Sequence, residues 1–168
     1  MDQANDPSGV ATQGATGPVL SIEKIYLKDA SLEVPNAPQI FLEAVQPEIE
    51  VQMNTRSAHL TDSLYESVLT ITVTARAGDR TVFLVEAAQA GIFQIAGFGT
   101  EELSAILGIG CPTSIFPYAR ETIASMVNRA GFPPINLAPI SFEQLYQQQA
   151  AQAQAQGAVG GPRIEIAH

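Results

Sequence analysis

The chain offers few residue types that could carry out catalysis. It has two histidines, His59 beside a turn and His168 at the C-terminal end, and one cysteine, Cys111, which is followed by a proline. A zinc site needs three or four protein ligands, and a nucleophilic thiol needs a base beside it. The sequence therefore predicts neither a metal site nor a Cys-His pair. The glycines around Phe98 lack the lysine of a phosphate-binding loop, so we also expect no nucleotide or other cofactor.

Carboxylates are the one abundant group. The chain has 17 acidic and 8 basic residues and a formal net charge of −9, which argues against binding to nucleic acid. Six acids fall on outward-facing positions of predicted strands: Asp29, Glu33, Glu48, Glu50, Glu66 and Glu86. An open sheet face lacks the enclosed surroundings that acid catalysis needs, so we do not expect an enzyme. The face is either a solvated surface or a docking site for a basic partner.

A predicted β-hairpin over residues 65–93 organises the elements that hold these acids. Two long runs rich in Thr, Val, Ile and Phe flank Gly78 and Asp79. A two-residue loop with glycine first is typical of a type II′ turn. Because side chains alternate along a strand, one face of the hairpin is apolar and the other, which carries Leu84 and Glu86, is solvated.

Two further strands are predicted before the hairpin. The apolar phase of residues 19–34 changes twice, between Ile22 and Ile25 and again between Leu27 and Leu32, which indicates a bulge or kink. Residues 48–54 alternate without interruption and place two acids outward.

Three helices are predicted in the second half of the chain. The first covers residues 100–107 and ends at Gly108. The second and longest covers residues 113–130, with Pro117 in or near its first turn, where a missing N–H is tolerated. The third begins at a capping box at Ser141 and fades into a Gln/Ala-rich sequence.

Two apolar segments contain several prolines and are therefore neither regular strands nor regular helices. The first follows residues 35–38 and carries Phe41, Leu42 and Val45, and the second is residues 132–139. Such segments either pack beneath another element or form a binding surface, because proline keeps them extended.

Composition divides the chain into one domain and two tails. Few large apolar side chains occur in residues 1–18, predicted to be a flexible N-terminal tail, or in residues 149–168, predicted to be a disordered Gln/Ala-rich C-terminal tail. Residues 19–148 are expected to form a single domain. A lone cysteine excludes an internal disulfide, and neither a signal peptide nor a membrane span is predicted, so we expect a cytoplasmic protein.

Several segments, in the same order, resemble the SecB family of bacterial protein-export chaperones. Within a match over residues 22–146 they include IYLKDASLEVPNAP (25–38), GIFQIAG (91–97), CPTSIFPYARETIASMV (111–127) and FPPINLAPISF (132–142). The resemblance implies an α+β fold, a four-stranded antiparallel sheet with helices packed on one face, assembled as a dimer of dimers. It also implies an ATP-independent holdase that keeps exported precursors unfolded and delivers them to the SecA motor ATPase.

The resemblance also implies roles for residues. The SecA-docking acids of the family and their apolar neighbour match Asp29, Glu33, Leu84 and Glu86. A client-binding groove is expected between the two apolar segments, lined by Phe41, Leu42, Val45, Ile135, Leu137, Phe142, Leu145 and Tyr146. One stripe of the longest helix is expected to serve both the sheet and the tetramer core: Ala119, Ile123, Met126 and Val127. Val45 stands where relatives often carry Trp, which predicts a shallower groove there.

These assignments imply three kinds of partner: unfolded precursor proteins, SecA and further copies of the chain, with no nucleic acid and no insertion into a membrane. The rival hypothesis is a small-molecule-binding or enzymatic α+β domain with a pocket beneath the sheet. The two differ in what should occupy the apolar site, an unfolded polypeptide or a metabolite.

Overall fold

A computed structural model describes residues 17–155 of the chain. The centre of the fold is one antiparallel sheet. Its strands are β1 (Val19–Glu33), β2 (Glu48–Thr61), β3 (Leu64–Ala77) and β4 (Arg80–Ala96). The order across the sheet is β1-β4-β3-β2, so the predicted hairpin β3-β4 occupies the middle and β1 and β2 are the edges. The predicted four-stranded antiparallel sheet with helices on one face is confirmed.

The central hairpin follows the predicted alternation. Gly78 has a φ of +60° while Asp79 has no positive φ, as a type II′ turn requires. Ile71, Val73 and Val85 are completely buried on one face, and the threonines between them on β3 lie half-exposed on the other. We call the buried side the inner face of the sheet and the opposite side the outer face.

Two bulges in β1 account for its changing apolar phase. The register with β4 shifts between Ile22 and Lys24 and again between Leu27 and Asp29, so Glu23 and Lys28 have no cross-strand partner. Each extra residue moves the residues that follow it to the opposite face of the sheet from the one that simple alternation predicts. The predicted bulge is confirmed, and there are two.

The first two predicted helices are joined into one continuous rod. α1 (Thr100–Ala105) passes through a turn of π-helix (Ile106–Gly110) into α2 (Cys111–Arg129). The prediction that Gly108 ends a helix is wrong. A Cβ at this position would lie 2.5 Å from the Tyr146 ring, so glycine serves close packing there. Pro117 lies inside α2 and not in its first turn.

α2 packs along the inner face and ends where the sequence predicts. Ala119, Ile123 and Val127 are completely buried between the helix and the sheet. The N–H of Phe132 donates to the carbonyl of Val127 at 3.3 Å, and Gly131 has a φ of +91°. This left-handed closing residue is the reason for a glycine directly after the helix.

The last helix, α3 (Phe142–Ala155), begins as predicted and ends later than predicted. The hydroxyl oxygen of Ser141 accepts a hydrogen bond from the N–H of Gln144 at 3.3 Å, which caps the first turn. The sequence predicts a loss of structure at residue 149. Glutamine and alanine favour helix by intrinsic propensity, so the helix continues without an apolar stripe. The remainder of both predicted tails lies outside the described residues.

Candidate functional site: an acidic sheet face and an apolar groove

The predicted docking residues lie together on the outer face, across the β1-β4 pair. Glu33 is the cross-strand partner of Leu84, and Ser31 is the partner of Glu86. Asp29 lies two residues further along the same face, opposite Ala88. Residues paired across a sheet point to the same side, so the register alone places all four docking residues on one surface.

Glu86 is the most firmly positioned member of this set. It is half-buried, and its Oε2 accepts a hydrogen bond of 2.6 Å from Thr72 Oγ1 on the neighbouring strand β3. The side chains of Asp29 and Glu33 are exposed at the edge strand. The surface therefore combines one oriented carboxylate, a half-buried leucine beside it and two exposed acids at the rim.

Glu66 also lies on the outer face, but its carboxylate is already paired with neighbouring side chains. Both of its carboxylate oxygens accept hydrogen bonds from Lys28 Nζ at 2.8 Å, and the hydroxyl of Tyr26 also donates to it. Burial raises the pKa of Glu66, but the hydrogen bonds from Lys28 and Tyr26 and the charges of Lys28 and Arg56 outweigh it and hold the pKa below its usual value. Burial and the Glu66 carboxylate raise the pKa of Tyr26 to about 12.

The loop between β1 and β2 exposes apolar side chains on a fixed backbone. Leu42 is 85% exposed and Phe41 is 48% exposed. Ile40, which directly precedes them in the chain, is buried and anchors the loop. Glu43 pairs with Arg80 through hydrogen bonds of 2.8 and 2.5 Å, which ties the loop to the start of β4. The exposed leucine is therefore held out from the surface by anchors on both sides of it.

An aromatic stack continues this loop onto the segment after α2. The rings of Phe41 and Phe132 are stacked with centroids 5.1 Å apart, and Phe132 contacts Phe83 of β4 with centroids 5.0 Å apart. The edge of Phe41 also lies against Gly131. We call the surface formed by Phe41, Leu42 and Phe132 the loop patch.

A cavity of about 530 Å³ opens on the inner side of β2, beneath α3. The residues that line it come from β2, from the π-helical turn and from α3, and include Met53, Thr55, Leu107, Phe142, Leu145 and Tyr146. Its wall is mixed, with apolar side chains beside serine, threonine and asparagine. A volume of this size holds one or two large side chains, and the open side leaves room for the chain that carries them.

Tyr146 fixes α3 over this cavity. Its ring lies directly on Gly108, and its hydroxyl shares a hydrogen bond of 2.9 Å with Ser104 Oγ. The π-helical turn thus presents a flat glycine surface to an aromatic ring. A larger residue at position 108 would push the helix away from the rod.

The structure brings together only part of the predicted groove. Leu145 and Tyr146 line the cavity, and Phe41 and Leu42 form the loop patch, whereas Val45 and Ile135 are half-buried against the core. Leu137 and Phe142 are 6% and 5% exposed, and Phe142 packs edge-on against Phe116 with centroids 5.9 Å apart. These two side chains therefore belong mainly to the core, and the exposed part of the predicted groove is divided into two patches.

Sequence reasoning missed the contribution of β2 and the π-helical turn to the cavity. The sequence pattern predicts Met53 only as an inward strand residue and Leu107 only as the end of a helix. The signal that could have found them is the pairing of small and large residues: Gly108 can accept an aromatic ring, and Tyr146 is an aromatic residue on a helix with little else to bury.

Most of the stripe on α2 that is predicted to form the oligomer interface is buried within the chain itself. Ala119, Ile123 and Val127 have no exposed surface, so of the four predicted residues only Met126, which is half-buried, has any left for another copy. Uncovered apolar residues lie instead on the inner-facing side of the two edge strands: Leu20, Ile22 and Leu27 on β1, and Ile49 and Val51 on β2.

Within residues 17–155, no group of three or more His, Cys, Asp or Glu side chains is arranged to hold a metal ion. Cys111 is buried, and burial raises the pKa of its thiol to about 12, so it stays a neutral thiol at physiological pH. No helix in the part of the chain that the structure describes is long and apolar enough to cross a membrane.

Comparisons with known proteins agree on one family. The family model described as SecB, preprotein translocase subunit SecB, matches residues 13–153. Proteins named protein-export protein SecB from Chromobacterium violaceum and Methylobacillus flagellatus are 61% and 54% identical, over 80% and 84% of this chain and 90% of each relative. A solved SecB-like chaperone of Mycobacterium tuberculosis, in complex with a ChAD peptide from an antitoxin, shares the fold with a TM-score of 0.62 at 19% identity, over 73% of this chain and 91% of that one. The chain belongs to the SecB family of protein-export chaperones.

Proposed function

We propose that this chain is an ATP-independent holdase that binds exported precursors while they are unfolded and delivers them to the SecA motor. The observation that carries the proposal is the separation of two surfaces on opposite sides of one sheet. The inner side carries the loop patch, which is apolar, and the cavity, which is open and has a mixed wall with apolar side chains, and the outer side carries the docking acids. A protein that must hold one polypeptide while it binds another needs two such surfaces.

The loop patch and the cavity are suited to unfolded chains in general. Neither surface is a closed pocket with convergent polar groups, as specific small-molecule sites usually are. Leu42 and Leu145 instead present apolar side chains that any exposed hydrophobic residue of a client can cover. Each covered client side chain contributes about 1.5–3 kcal/mol before the ordering of the client is subtracted, so a single contact is weak.

Assembly into a tetramer would multiply these weak contacts. The inner-facing residues Leu20, Ile22 and Leu27 on β1 are 51%, 52% and 47% exposed. One helical rod is too narrow to cover four strands, so these residues need a second copy of the chain to bury them. A long client that reaches several patches gains affinity through effective concentration, whereas a short peptide does not.

Handover is assigned to the outer face. The cluster of Asp29, Glu33 and Glu86 around Leu84 provides negative charge with one apolar contact, which suits a partner segment that carries basic and apolar residues. This assignment places SecA binding away from the client surfaces. The client of such a protein is met in the cytoplasm, before translocation.

The proposal is tested by a refolding assay with a denatured export precursor. The purified protein, added as an assembled tetramer and without nucleotide, is expected to slow recovery of precursor fluorescence at a ratio near one tetramer per precursor. A mature globular protein that refolds within milliseconds serves as the control and should be unaffected. If refolding is unchanged while a panel of metabolites raises the melting temperature, the chain is a small-molecule-binding domain and the holdase proposal is wrong.

A further inference from the structure

Three side chains form a bridge on the outer face that spans the width of β4. Tyr26 and Lys28 extend from β1, and Glu66 extends from β3, with the whole of β4 between them. On β4, Ala90 is the cross-strand partner of Tyr26 and Ile92 is the partner of Glu66. Ala90 lies on the outer face and is nevertheless completely buried. We call Tyr26, Lys28 and Glu66 the outer clamp.

The clamp meets β1 at its second bulge. Lys28 is the extra residue of that bulge, because Leu27 pairs with Gln89 and Asp29 pairs with the adjacent Ala88. The extra residue places Lys28 and Asp29 on the same side of the sheet, and Lys28 binds Glu66 while Asp29 stays exposed. The bulge is thus fixed by two hydrogen-bonded side chains on the outer face.

The position of the bulge decides where the docking acids point. If β1 paired with β4 without this extra residue, Asp29 and Glu33 would take the positions of Ala30 and Val34 relative to the sheet and would face inward. Ala30 and Leu32 would then face outward beside Glu86. A shift of one residue would therefore remove two of the three acids from the docking surface.

We propose that Tyr26, Lys28 and Glu66 are positioning residues for partner docking: they hold the second bulge of β1 so that Asp29 and Glu33 share a surface with Glu86. The inference rests on the proposed role of that surface in binding SecA. None of the three residues needs to touch the partner. Their effect is transmitted through the register of β1.

The direction of the change in SecA affinity distinguishes a positioning role from simple electrostatic attraction. Lys28→Gln removes a positive charge and leaves Glu66 without its lysine, so the outer face becomes more negative. Attraction of a basic partner predicts tighter binding, whereas loss of positioning predicts weaker binding. Tyr26→Phe changes no charge, so attraction predicts no effect and positioning predicts weaker binding. Glu66→Gln weakens binding under both views and is uninformative alone.

The experiment measures the affinity of purified SecA for the intact assembly by calorimetry, beside the affinity for a long unfolded client. We expect Lys28→Gln and Tyr26→Phe each to weaken SecA binding about threefold to tenfold, the range that one lost hydrogen bond in a half-buried network produces, and to leave client affinity unchanged. Lys28→Arg should restore SecA affinity. Hydrogen exchange of residues 27–33 should be faster in the two weakened variants.

Arg80→Gln is the matched control. It removes one positive charge from a different ion pair, Glu43 with Arg80, without touching the bulge, and should leave SecA binding equal or slightly tighter. The inference is overturned if Lys28→Gln or Tyr26→Phe binds SecA as tightly as the parent while Glu86→Lys does not bind. If Glu86→Lys also binds normally, the docking surface itself is wrong, and the proposed function loses its handover step.

Discussion

The two faces of the sheet are built from the same strands by the same alternation but differ in how their residues are held. On the inner face, Ile71, Val73 and Val85 are packed completely beneath α2, and no single polar contact fixes them. On the outer face, position is set by discrete polar contacts such as the hydrogen bond from Thr72 to Glu86. Packing fixes one face, and hydrogen bonds fix the other.

Substitutions on the two faces should therefore differ in their effect on folding stability. A change on the outer face removes one contact and leaves the core intact, because surface polar substitutions rarely alter stability by more than a few tenths of a kcal/mol. A change in the core alters the volume that both the helix and the sheet must fill. Binding at the two surfaces should therefore be separable by single substitutions at the outer face and at the exposed part of the groove.

The largest separation is expected for Glu86→Lys. The substitution reverses the charge at the centre of the docking residues and removes the acceptor for Thr72. We expect SecA affinity to fall by about tenfold or more, with unchanged retention of an unfolded precursor, because the residue lies on the face opposite the proposed client surfaces. Binding of the parent should also weaken as salt rises, since the screening length is about 8 Å at physiological ionic strength.

Glu50→Lys is the matched control for this prediction. Glu50 lies on the same outer face but on β2, at the opposite edge of the sheet, opposite Thr74. It makes the same change in net charge without touching the docking residues. If both variants lose SecA binding equally, the partner responds to overall charge, and the specific surface has no special role.

A smaller and cooperative effect is expected on the inner side from Phe41→Ala combined with Leu145→Ala. Both residues are partly exposed, one in the loop patch and one at the cavity, so neither truncation opens a hole in the core. Each single change should weaken binding of a long client about twofold to threefold, and the pair should weaken it by up to about tenfold, because the client loses two of its linked contacts.

Phe142 is not suited to this experiment. The sequence places it in the groove, but it is 5% exposed and packs on Phe116, so truncation to alanine would cost about 3–5 kcal/mol of folding stability. The Phe41 and Leu145 pair avoids this cost. Light scattering must give the mass of the parent assembly. An intact double variant that retains the precursor as tightly as the parent would place the client surface elsewhere.

Local alternation was sufficient to predict most of the sheet. The hairpin turn at Gly78, the changing phase of β1 and the faces of Leu84 and Glu86 follow from the period of two that a half-buried strand imposes. The second half of β2 was missed because its apolar pattern weakens after Met53. Pairing with β3 continues the strand there to Thr61 in spite of its sequence.

The groove was less predictable, because it depends on which residues the tertiary structure buries. Nothing in the local pattern separates Leu145, which remains exposed, from Leu137, which is buried. The partners of Glu66 were also hidden, since Tyr26 and Lys28 lie two strands away and about 40 residues earlier in the chain. Glycine was misinterpreted at position 108 because a helix stop and a close contact favour the same residue.

The smallest effect, and one whose sign is informative, is expected for Gly108→Ala. Helix propensity alone predicts that alanine stabilises the rod by about 1 kcal/mol, because glycine loses more backbone entropy on folding. The packing predicts the opposite, since the new Cβ would lie 2.5 Å from the Tyr146 ring and would force it off the π-helical turn, together with its hydrogen bond to Ser104. Overpacking of this kind costs about 1–3 kcal/mol, so we expect the melting temperature to fall by a few degrees at fixed protein concentration.

Gly110→Ala is the control, because no neighbouring side chain lies within 4 Å of the position that its Cβ would occupy, and this variant should melt higher than the parent. In the background Tyr146→Ala the obstacle is gone, and Gly108→Ala should then stabilise the protein as Gly110→Ala does. A higher melting temperature for Gly108→Ala in the parent background would mean that Tyr146 yields at no cost, and that α3 is not held over the cavity by this contact.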